Sequence, residues 1–201
     1  MTRRFRNGLR CAPVVVAAAV VLVTVAAVLT PKAAAANTLV TPEGVTINVY
    51  VDTVTADQVY NWLLAAGLEP HVKLTRVDVV DAGMTMASVG GGCYPEGYPV
   101  QGCWVFDASI QVRDDLLLAR PNYAIGHEYG HVWENYYRWT YWAGQFDAYL
   151  ETRGLLGDDR VGSSKCWQPY EMIAEDYRQL FGSGEALTLK QCNRDIPAAS
   201  E

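Results

Sequence analysis

Histidine is scarce in this chain, with three in 201 residues. Cations are scarce too once the N-terminal stretch is set apart. Five of the sixteen Lys and Arg lie in residues 1–36, which leaves 11 basic against 22 acidic side chains and a net charge of about −11. Such a surface argues against nucleic acid or an anionic membrane face as the partner. No C-x-x-C spacing occurs among the five cysteines, which speaks against a zinc site built from thiolates. There is no internal repeat and no long linker, so residues 37–201 read as one domain with a substantial core.

The N-terminus has what the rest lacks. "MTRRFRNGLR" is basic, "APVVVAAAVVLVTVAAVLT" is an unbroken apolar run, and "PKAAAAN" offers small residues in an A-x-A arrangement. That order predicts a secretory signal peptide over residues 1–36, cut near Ala36. Residues 12–30 approach the ~18–20 that can span a bilayer, so retention as a membrane anchor is the alternative. Both outcomes place residues 37–201 outside the cytoplasm, as a secreted or anchored domain expected to be monomeric. In that oxidising setting Cys93, Cys103, Cys166 and Cys192 are expected to form two disulfides, paired as nearest neighbours.

Alternation in "GVTINVYV" predicts a half-buried strand, and "HVKLTRVDVV" a second. Between them "TADQVYNWLLAAG" predicts a helix, with Thr55 and Gln58 as a capping box and Gly67 as its stop. "WVFDASIQVR" alternates from Trp104 to Val112 and predicts one further strand. A helix with a Pro-Asn start at Pro121 and Asn122 follows, and "PYEMIAEDYRQLFG" predicts another from Pro169 to Gly182. The order predicts an α+β domain with a mixed or antiparallel sheet.

Two of the three histidines fall in one window, "NYAIGHEYGHVWENYY". On a helix, residues four apart are offset by only ~40°, so His127 and His131 present both imidazoles toward one point, where a divalent cation could take a nitrogen from each. Glu128 lies beside that line, within reach of a water on the cation's open position; this is the physical content of the H-E-x-x-H spacing of zinc hydrolases. Gly126 and Gly130 each weaken the helix by about 0.8–1.0 kcal/mol relative to Ala, which suggests that something approaches its backbone closely. A catalytic zinc needs a third protein ligand. Asp147, Glu171 and Glu175 are the candidates.

"HEYGH" followed by "EMIAED" resembles the gluzincin branch of the zincin metallopeptidases. The resemblance covers mainly residues 121–182. It implies one Zn²⁺ held by His127, His131 and Glu171, with Glu175 receiving a hydrogen bond from a ligating histidine and Glu128 as general base on a peptide or protein substrate. It also implies a strand at a sheet edge beside the site, for which 104–112 is the candidate. The metzincin pattern is excluded, because positions 134 and 137 hold Glu and Tyr. The alternative of another class is a non-catalytic exported module that keeps the scaffold and binds cell-wall material or a partner protein.

Overall fold

The computed structural model describes residues 34–69, 72–81, 102–105 (main chain only), 108–184 and 186, all within the unit Pro31–Glu201. Strands β1 (Asn37–Val40), β2 (Thr46–Val49), β3 (Arg76–Val80), β4 (Gly102–Val105) and β5 (Ser109–Arg113) form one sheet in the order β1-β2-β3-β5-β4. The helices are α1 (Ala56–Ala65), α2 (Asp114–Ala119), α3 (Pro121–Tyr141), α4 (Asp147–Thr152) and α5 (Pro169–Phe181), with a 3₁₀ turn at Lys165–Trp167. The inner pairs β2–β3 and β3–β5 are parallel and the outer pairs antiparallel, so the sheet is mixed and the class α+β. Parallel neighbours need a crossover, and α1 supplies it between β2 and β3.

Register places Ile47, Val77 and Ile110 in one row and Val49, Val79 and Val112 in the next. All six are fully buried, in one core with Val59 and Leu63 of α1 and Ile125, Tyr129 and Val132 of α3. Helix α1 forms as its sequence dictates: the Thr55 Oγ1 accepts from the Gln58 amide while the Gln58 side chain accepts from the Thr55 amide at 2.9 Å. Gly67 follows with a φ of 77°, and the Tyr177 hydroxyl of α5 reaches the Ala66 and Gly67 carbonyls at 3.1 and 3.0 Å. That contact ties the end of α1 to α5.

The stretch read as one strand over 104–113 is a hairpin. Trp104 pairs with Ile110 and Val105 with Ser109 across β4 and β5, and Ala108 in the connection has a φ of 58°. Consequently β5 is an interior strand, and among the described residues the sheet edge on this side is β4. Strand β5 is also buried on both faces. Gln111 donates to Asp78 at 3.1 Å and Asn48 donates to it at 3.0 Å, with Arg76 Nε 3.0 Å from the same carboxylate. The polar face of the sheet thus satisfies its buried charge internally.

Strand β1 and the short helices α2 and α4 have no counterpart in the sequence reading. The signal segment up to residue 33, His71, Cys93, Cys192 and the side chain of Cys103 lie outside the described residues. Cys166 is disulfide-bonded, and its expected pairing with Cys192 falls outside that range. Among the described residues no helix is long and apolar enough to cross a membrane.

Candidate metal centre

Helices α3 and α5 each begin on a proline, where the missing N–H costs nothing. They then pack at unusually close range, and the two glycines explain how. A Cβ on Gly130 would lie 2.6 Å from the Ala174 carbonyl oxygen and 2.8 Å from Ala174 Cα; one on Gly126 would lie 3.2 Å from Arg178 Cγ. What approaches the α3 backbone is therefore α5 itself, and that approach carries Glu171 and Glu175 to the histidines. Gly130→Ala should lower the stability of the fold by about 1–3 kcal/mol, since rigid main chain must move and the overpacking outweighs the helix-propensity gain of about 1 kcal/mol. Gly126→Ala meets a side-chain methylene and should be milder. Thermal unfolding of the two variants tests the ranking.

His127 Nε2 stands 3.3 Å from Glu171 Oε2, and His131 Nε2 stands 3.8 Å from the same oxygen. Ligand atoms from His127, His131 and Glu171 all lie within 4.8 Å of one another. Atoms held about 2.0–2.1 Å from a tetrahedral ion sit roughly 3.3–3.4 Å apart, so this spacing needs only a small adjustment to close on one cation. The imidazole rings cross at 83° with centroids 4.8 Å apart, as two rings facing a shared point do. On its far side, His127 Nδ1 is 3.4 Å from Glu175 Oε2, close but not aligned as a hydrogen bond.

The electrostatics favour a cation. Burial opposes charge on His127, yet the Glu171 and Glu175 carboxylates outweigh it and hold its pKa at about 9. His131 goes the other way, pushed down to about 3 by burial and then by the His127 charge. Burial also works against ionised Glu171, but His127, His131 and Lys165 more than offset it and keep the group at about 2. Glu128 is raised to about 7, mainly by burial, which outweighs the opposing His127 charge, with a smaller push from Glu171. Its Oε2 is a buried oxygen with no hydrogen-bond partner among the described residues. A nitrogen pair, an ionised carboxylate and an orphaned buried oxygen beside them fit a zinc ion and a water that it binds.

The structure brings together His127, Glu128, His131, Glu171 and Glu175. Asp147 is exposed at the start of α4 and is not part of the metal-binding group. Asp176 turns away, accepting from the Tyr149 hydroxyl at 2.8 Å and lying 2.8 Å from Arg153 Nε. Lys165 and Arg178 escaped the sequence reading, and Tyr123 was one of several tyrosines among which the sequence could not choose. Lys165 Nζ lies 3.2 Å from Glu171 Oε1, Tyr123 stacks on His127, and Arg178 pairs with Glu175. Arg178 had a signal, a cation three residues after Glu175 on the same helix face; Lys165 had none, since a loop decides its position. Comparison with protein-family models, with curated proteins and with solved structures found no match.

Proposed function

We propose that this chain is an exported zinc-dependent hydrolase that cuts peptide bonds, with His127, His131 and Glu171 as the metal ligands. The observation that supports it most is the convergence of both Nε2 atoms and one Glu171 oxygen beside a carboxylate with an unpartnered oxygen. The basic and apolar N-terminus supports export. When bound, zinc supplies Lewis acidity, lowering the pKa of water toward ~7 and polarising a scissile carbonyl.

The residues of the chain do the rest. Glu128 accepts the proton of the attacking water and hands it to the leaving amine. Glu175, behind His127 Nδ1, favours the tautomer that presents Nε2 to the ion and raises its basicity. Tyr170, 38% exposed beside Glu171 and with its ring 6.1 Å from that of His131, is the tyrosine we assign as donor to a developing oxyanion. The substrate lies in extended form along β4, which packs against α3.

Zinc binding must displace the proton that Glu171 and Glu175 hold on His127 up to about pH 9, whereas His131 is already neutral. Affinity should therefore rise about tenfold per pH unit between pH 6 and 8, as expected for release of one proton. Competition with a chromophoric chelator measures this, and a flat profile would show that His127 is already neutral before the ion binds. Hydrolysis of an unstructured protein such as casein by the purified chain, abolished by chelator and restored by zinc, tests the activity. Bound zinc without hydrolysis would instead favour the binding-module reading.

A further inference from the structure

We propose that Arg178 is the positioning residue of this metal centre, acting through Glu175 and Tyr123 to fix the orientation of the His127 imidazole; this rests on the metal-site reading above. Arg178 is completely buried. Its Nε donates to Glu175 Oε2 at 3.0 Å, its Nη2 donates to Glu175 Oε1, and its Nη1 donates to the Ala186 carbonyl. A guanidinium that grips both oxygens of a carboxylate fixes the carboxylate plane as a point charge cannot. The carboxylate so fixed is the one facing His127 Nδ1 at 3.4 Å.

The same guanidinium lies over the Tyr123 ring, 4.4 Å from its centroid. That ring in turn runs parallel to the His127 imidazole, with 5° between planes and 6.1 Å between centroids. Arg178, Glu175, His127 and Tyr123 therefore form a closed loop of contacts. The direction of Nδ1 and the plane of the ring are both referred to one buried side chain. Helix packing alone gives no reason for this arrangement, because a buried ion pair can often be replaced by apolar residues at no loss of stability. Gly126 completes the case: the absence of a Cβ there leaves room for the Arg178 stem beside α3.

The test compares Arg178→Gln, Arg178→Lys, Glu175→Gln and the Arg178→Gln/Glu175→Gln double variant. Zinc affinity and the visible absorption spectrum of the Co²⁺-loaded protein are measured, with the thermal midpoint of each metal-free variant as the folding control. Arg178→Gln and Glu175→Gln should each weaken zinc about 10–100-fold and alter the cobalt spectrum. The double variant should be no weaker than the worse single, since both residues act through one arrangement. Arg178→Lys, which keeps the charge and loses the fork, should not restore the wild-type spectrum. If Arg178→Gln does not fold, the lysine variant and Glu175→Gln carry the comparison. Wild-type affinity and spectrum in Arg178→Gln or Arg178→Lys would overturn the inference and leave the metal site standing, as would additive losses in the double variant. A wild-type chain that binds neither zinc nor cobalt would overturn both.

Discussion

Glu128→Gln should keep zinc bound and lose hydrolysis by about 10²–10⁴-fold, the span usual for removal of a general base. The reason lies in where Glu128 sits. It follows His127 directly on α3, so it stands beside the metal-binding group without belonging to it. Burial pushes its pKa up to about 7, which suits a group that must take a proton and return it near neutral pH. Its Oε2 is buried and has no hydrogen-bond partner among the described residues, which leaves an acceptor available. Glutamine preserves the size and the packing but cannot accept a proton. Zinc affinity should therefore stay within about threefold of wild type while turnover collapses, because only the proton transfer is removed. Full activity in the variant on a casein-type substrate contradicts the assignment.

Glu171→Ala should weaken zinc binding by more than about 100-fold, since residues that merely support a ligand already cost 10–100-fold. Glu171 is the sole carboxylate that stands within reach of both histidine Nε2 atoms, at 3.3 and 3.8 Å, among the described residues. Its removal also takes away the buried carboxylate oxygen that the largely exposed Lys165 faces at 3.2 Å. Asp147→Ala should leave affinity unchanged, because that carboxylate is exposed on α4, apart from the group. Calorimetric titration of zinc into both variants gives the ranking, and the reverse order would move the third ligand to Asp147.

Elements with a local code were legible in the sequence. The capping box of Thr55 and Gln58 begins α1 in the structure, and prolines open α3 and α5 where the sequence placed them. The β4–β5 hairpin was not legible, for a definite reason. Partners across it pair Trp104 with Ile110 and Val105 with Ser109, so each residue faces one of the same parity. Alternation of apolar residues therefore runs on unbroken through the turn, and no glycine or proline marks it. The histidine spacing needed only one helix and could be read from the chain. Glu171 became a candidate because the motif lacked a ligand. Its selection depends on how closely α3 and α5 approach, which Gly126 and Gly130 allow. The part played by Arg178 depends on a folded ring of contacts that no spacing rule encodes.

X-ray absorption at the zinc edge of the purified, zinc-loaded chain tests the central claim most directly. One zinc per chain is expected, with two imidazole nitrogens and one carboxylate oxygen among its neighbours at about 2.0–2.2 Å and a shell free of sulfur. Loss of one imidazole in His131→Ala, and of the carboxylate in Glu171→Ala, should follow. A shell that contains sulfur, or one unchanged by both substitutions, would place the metal elsewhere and contradict the account.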